Sequence, residues 1–115
     1  EKLRVYHSAM ELVELVYTLI KSLPEEERFG LADQLRRSVI SIVLNIAEGT
    51  GGLGDIEFKS FLRHSLKSLY ETVAGLKIAE RLFTTDIKVA VDQCDKVGKE
   101  LNALLKSLSR PTTKD

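Results

Sequence analysis

Apolar residues recur every three or four positions along four segments of this chain, and both prolines, Pro24 and Pro111, fall between or beyond them. That spacing puts the apolar side chains on one face of an α-helix, and nothing within the segments breaks it. The segments cover about 3–22, 31–48, 55–83 and 86–109. Pro24 pushes Leu23 out of helical geometry and stops the first. Pro24-Glu25-Glu26-Glu27 then opens a short helical turn, its acids facing the positive helix end. Gly49 is placed to stop the second helix, and the loop from Gly49 to Gly54 is too glycine-rich to stay helical. Asp55 is expected to cap the third helix. Thr84, Thr85 and Asp86 form the turn and cap before the fourth, and the tail 110–115 frays. A length of 115 residues suits one domain. With 43% hydrophobic and 30% charged residues the chain is globular rather than disordered. The expected fold is all-α, an antiparallel up-down-up-down four-helix bundle.

Several function classes drop out. Seventeen basic residues balance seventeen acidic ones, so the whole chain exerts no broad pull on nucleic acid or membrane. No apolar run reaches the ~18 residues of a bilayer span, and Glu1-Lys2-Leu3-Arg4 lacks a signal-like apolar core. The lone Cys94 forms no internal disulfide and reads as a small buried side chain in a reducing compartment, which places the chain in the cytoplasm. Residues 49–54 spell Gly-x-Gly-x-x-Gly, but a helix precedes them where the dinucleotide fingerprint needs a strand. Glu57, His64 and Glu71 fall on one line of the third helix with about 10 Å between neighbours, too far to share a metal. His7, the other histidine, lies far off in the first helix. No histidine–carboxylate–serine pattern stands out. No catalytic residue, cofactor or metal site is assigned, and the chain is not expected to be an enzyme.

The first two helices carry more apolar surface than one bundle hides. In the second, Leu31, Leu35, Val39, Ile42 and Ile46 form a core stripe. Ile40, Val43, Leu44 and Ala47 widen it to roughly 220°, against the ~100° that a solvated helix needs. In the first, Tyr6, Ala9, Met10, Val13, Tyr17 and Ile20 are joined by Val5, Leu12, Leu15, Leu19 and Leu23. Single faces suffice elsewhere: Phe58, Phe61, Leu62, Leu69, Val73, Leu76 and Phe83 in the third helix, Ile87 through Leu108 in the fourth. The spare arcs predict a homo-oligomer whose interface uses Leu12, Leu15, Leu19, Ile40, Val43, Leu44 and Ala47.

The second helix also carries a narrow polar stripe, Gln34, Arg37, Ser38, Ser41, Asn45 and Glu48, suited to a helix contact made by hydrogen bonds. The segment Gln34-Leu35-Arg36-Arg37-Ser38-Val39-Ile40-Ser41-Ile42-Val43-Leu44-Asn45-Ile46-Ala47-Glu48-Gly49 closely resembles the signature of a bacterial four-helix-bundle family. That family is named for proteins encoded in intervening sequences of 23S rRNA genes. Ser68-Leu69-Tyr70-Glu71 resembles its second motif, and Val5-Tyr6 with Ala9, and Pro24 with Phe29-Gly30-Leu31, also fit. The likeness covers roughly residues 3–83. It implies small bundles assembled into rings, typically pentamers, with no known enzymatic activity. The family is similar to the accessory variability protein of diversity-generating retroelements, a basic pentamer that works with a reverse transcriptase and nucleic acid. The motif positions carried over are Arg37, Ser41, Asn45, Glu48, Ser68 and Glu71. A contact from Arg37 or Asn45 to Glu71 or Ser68 is expected to tie the second helix to the third.

The third helix adds an electrostatic signal. Lys59, Arg63, Lys67, Lys77 and Arg81 fall within an arc of about 80° that includes Tyr70 and no acid, spanning roughly 33 Å. Repeated around a ring, such a stripe suits phosphates, with a tyrosine to stack on a base. The other reading is a solvated face, or one neutralised by Asp92 and Asp95 of the neighbouring helix. Two functions therefore stay open: a scaffold or adaptor for RNA, DNA or a nucleic-acid enzyme, and a purely structural homo-oligomer without nucleic-acid contact.

Overall fold

The computed structural model describes residues 2–52 and 54–109. Four helices follow one another: α1 (Lys2–Ile20), α2 (Leu31–Gly49), α3 (Asp55–Phe83) and α4 (Lys88–Ser109), with a 3-10 turn at Glu25–Glu27 between the first two. Each helix packs on its neighbours in the cycle α1–α2–α3–α4–α1, and neither diagonal pair brings its backbones within 8 Å among the described residues. This is the four-helix bundle expected from the apolar spacing. Leu53 of the glycine loop and the tail 110–115 lie outside the described residues.

The helix ends follow local chemistry, not always the chemistry expected. α1 stops at Ile20, and the chain tightens through Lys21, Ser22 and Leu23, whose amides donate to carbonyls three residues back. Glu27 Oε1 accepts from the Leu31 amide at 3.0 Å, so the acidic turn after Pro24 serves as the start of α2. Asp55 does not cap α3. That position belongs to Gly54, whose φ of 95° few side chains tolerate, and Asp55 sits inside the first turn. α3 ends on Thr84 in the left-handed region, φ 52°. Asp86 Oδ1 accepts from the Lys88 amide at 3.1 Å, so it serves the start of α4 as the sequence suggests.

Gly49 is not the stop but the last residue of α2, and Thr50 closes the helix with its amide and hydroxyl on the Ala47 carbonyl. What requires a glycine at 49 is the crossing of α3. A Cβ there would lie 2.7 Å from Phe58 Cδ1 and 3.0 Å from Phe61 Cβ.

One core joins all four helices: Val5, Ala9, Leu12 and Val16 of α1, Leu35, Val39, Ile42 and Ile46 of α2, Leu62, Leu69 and Leu76 of α3, and Cys94, Val97 and Leu101 of α4. The inward face of α1 differs from the one expected. Val5, Leu12 and the unremarked Val16 point in, whereas Met10 and Tyr17 stay exposed. The two sets are offset by one residue, about 100° of rotation, and both are apolar, so spacing alone does not choose between them. Burial pushes the Cys94 thiol up to about 12, with the Asp95 charge adding to the effect.

Candidate functional site

Three surfaces of the bundle carry the residues singled out by the sequence. The first is the α2–α3 seam. Ser65 Oγ donates to the Ile42 carbonyl at 2.6 Å, Ser41 Oγ and Ser68 Oγ share a hydrogen bond of 2.8 Å, and Thr72 Oγ1 reaches Ser38 Oγ at 2.8 Å. These contacts fall on successive turns, and Ser38, Ser65, Ser68 and Thr72 are all buried. Buried hydroxyls carry a desolvation cost unless paired, and here each one is. Next along α3, Gly75 lets Leu35 approach: a Cβ on it would lie 2.7 Å from Leu35 Cδ2.

The seam ties α2 to α3, but not through the pairs expected. Arg37 Nε donates to Asp33 Oδ2 at 3.0 Å within α2. Asn45 Nδ2 donates to Ser41, to its carbonyl at 2.9 Å and its hydroxyl at 3.1 Å. Glu71 is exposed and has no hydrogen bond or ion pair among the described residues. Arg37 and Glu48 are likewise exposed. Long side chains at the rim reach their own helix more readily than across a gap, whereas short hydroxyls bridge it where the helices come closest. Ser65 and Thr72 were missed because they read as polar interruptions of an apolar face; their small size at three- and four-residue spacing is the signal that marks a close helix contact.

The second surface is the outer face of α2. Ile40, Leu44, Ser41 and Asn45 floor an open groove of about 610 Å³, with Tyr17 of α1 and Phe61 of α3 at its sides and Asp33, Arg36, Arg37 and Glu48 around it. Leu44 is 60% exposed, Ile40 36% and Tyr17 38%. A smaller apolar cleft of about 280 Å³, lined by Leu3, Tyr6, Ile46, Ala47 and Thr50, lies between the start of α1 and the end of α2. Of the seven residues expected at an oligomer interface, Leu12 and Val43 do not belong to an outer face. Both are buried within the chain, at 0% and 8% exposure, because α1 and α2 pack through them. Leu15 and Leu19 are half-buried, and Ile40, Leu44 and Ala47 are exposed.

The third surface is the outer face of α3. Arg63, Lys67, Tyr70, Lys77 and Arg81 are exposed and Lys59 half-buried. None of these cations pairs with a described acid: Asp92 bonds Lys88 of its own helix at 3.1 Å instead, and Asp95 forms no ion pair among the described residues. Glu57, His64 and Glu71 lie on a separate exposed line of the same helix.

Comparison with known proteins now decides the kinship. The family model described as 23S rRNA-intervening sequence protein matches residues 1–108. The chain belongs to this family. Its members are the proteins that the motif on α2 resembles, and the match extends through α4, where only the apolar pattern carried the likeness. A solved protein of unknown function from the S23 ribosomal protein family of Bacteroides thetaiotaomicron VPI-5482 superposes with a TM-score of 0.81. It shares 24% identity, over 89% of this chain and 98% of that one, and so supports the fold of this 23S rRNA-intervening sequence protein. Neither description names a catalytic activity. No curated protein matches the chain. No described helix is long and apolar enough to cross a membrane.

Proposed function

We propose that this chain is a non-catalytic, self-assembling scaffold whose copies pair through the outer faces of α1 and α2 and present the α3 stripe to RNA or DNA. The observation that carries the reading is Leu44 at 60% exposure, beside Ile40 in a groove walled by two aromatic rings. Burying one leucine-sized side chain contributes about 1.5–3 kcal/mol, so Ile40, Leu44, Tyr17 and Met10 together drive association. Ala47 and the Tyr6 cleft continue the same face toward the other end of the bundle. A ring repeats the unpaired cations of α3 once per subunit and raises the local positive potential despite zero net charge per chain.

Two measurements test the two halves of the proposal. Ile40→Glu with Leu44→Glu reduces the light-scattering mass to one chain while the circular dichroism spectrum stays helical. Affinity for RNA falls steeply as salt rises. An oligomer that binds no RNA at low salt leaves the purely structural reading.

A further inference from the structure

The two ends of the α3 stripe face different stretches of α4. Gly98 of α4 sits beside Leu69 of α3, its Cβ position 3.3 Å from Leu69 Cδ2. The helices run antiparallel, so α3 residues before 69 lie beside α4 residues after 98, and the reverse holds at the other end. At that other end Lys77 shares a cleft with Glu80, Asp86, Lys88 and Asp92, and Asp95 follows one turn on. Three acids line that cleft with Lys77, one of them bonded to Lys88. Toward the end of the bundle that holds the glycine loop, the antiparallel course brings Lys99 and Lys106 of α4, both exposed, level with Lys59, Arg63 and Lys67. About 100° per residue carries these two lysines some 80–100° outward from the Gly98 line. The acids of this half lie elsewhere. Glu57 is on the separate line of α3 that reaches the α2 cleft at Glu71. Glu100 is half-buried and sits seven residues after Gln93, the residue that donates to the Ser8 carbonyl of α1. Asp55 occupies the first turn of α3, where its charge meets the helix N-terminus.

We infer that the nucleic-acid surface is the two-helix patch of Lys59, Arg63, Lys67, Lys99 and Lys106 with Tyr70 at its inner edge, and that Lys77 and Arg81 take no part. This rests on the nucleic-acid reading proposed above and narrows it. The occupant that fits is one strand of RNA or single-stranded DNA. Residues 59–70 rise about 17 Å, the length of about five nucleotides stacked at the ~3.4 Å spacing of one duplex strand. Tyr70, 62% exposed, offers a ring to a base where the cations end. The expected salt slope, log affinity against log salt, is about −3.5 for five phosphate contacts on a single strand.

The test uses a fluorescein-labelled single-stranded RNA 20-mer and anisotropy at several salt concentrations. Three double variants are compared with the wild type, each checked for helix content: Arg63→Glu with Lys67→Glu, Lys99→Glu with Lys106→Glu, and Lys77→Glu with Arg81→Glu. The first two weaken binding at least about tenfold and lower the salt slope by about 1.4, and the third stays within about twofold. The corresponding glutamine pairs give the same order with smaller losses. Equal losses from the first and third pairs with none from the Lys99–Lys106 pair overturn the patch and leave the stripe reading intact. Absence of wild-type binding at low salt overturns the nucleic-acid reading itself. Binding to phosphatidylserine vesicles, with none to the RNA, assigns the patch to a membrane and overturns both.

Discussion

Thr72 of α3 and Ser38 of α2, both buried, meet at 2.8 Å across the seam, and Thr72 also donates to the Ser68 carbonyl at 2.9 Å. The hydroxyl satisfies its own desolvation and holds the register of the two helices at one point. Thr72→Val keeps the shape and removes the oxygen. It is expected to lower unfolding stability by about 1–2 kcal/mol in urea titrations, with helix content unchanged. A variant as stable as the wild type makes the hydroxyl dispensable.

Gly49 tests how closely the end of α2 meets the start of α3. Gly49→Ala puts a methyl group 2.7 Å from the Phe58 ring and 3.0 Å from Phe61 Cβ, and neither a ring nor a Cβ swings away. The gain in helix propensity, about 1 kcal/mol at most, is outweighed by overpacking of about 1–3 kcal/mol. Gly98→Ala is the control, since its methyl group meets only Leu69 Cδ2 at 3.3 Å. Thermal melts are expected to show a clear loss for Gly49→Ala and a change within about 1 kcal/mol for Gly98→Ala.

Cys94 supplies a pH dependence with a definite sign. Burial pushes its folded thiol up to about 12 from the ordinary 9.0. Below pH 9 both folded and unfolded chains hold the proton, so the thiol leaves stability unchanged. Above pH 9 the unfolded chain ionises first, and stability falls until the folded value is reached. Between pH 8 and pH 10.5 the wild type is expected to lose about 2 kcal/mol more than Cys94→Ala does. Parallel pH profiles for the two proteins contradict this burial.

Much of this arrangement is legible in the sequence because four helices with single turns between them leave few alternatives. Pro24 and the glycines at 49–54 mark the first two connections, and the three- to four-residue apolar spacing does the rest. The facing of α1 is not legible, since Val5, Leu12 and Val16 and the set around Met10 and Tyr17 are equally apolar. Choosing between them requires knowing where α2 and α4 lie. The seam is half legible. Ser38, Ser41 and Asn45 stand out as a polar stripe, but which partner each takes depends on how close the helices come, a distance set by Gly75 and the serines of α3. The basic stripe is readable on α3 alone, and its proposed division is not, because Lys99 and Lys106 belong to another helix whose place only the packing gives.

The Glu71 carboxylate offers a check on that packing. It is exposed and unpaired among the described residues, so Glu71→Ala is expected to change stability by less than about 0.5 kcal/mol. Ser68→Val, which removes the hydroxyl facing Ser41, is expected to cost about 1–2 kcal/mol. The opposite order places the tie between α2 and α3 at Glu71 after all.

The proposed self-assembly through the outer face of α2 underlies the rest, and the mass of the native particle tests it directly. Size-exclusion chromatography with light scattering at micromolar concentration is expected to give several chains of 12.9 kDa per particle, five if the family likeness holds. A particle of one chain, with Leu44 and Ile40 left in water, contradicts the account.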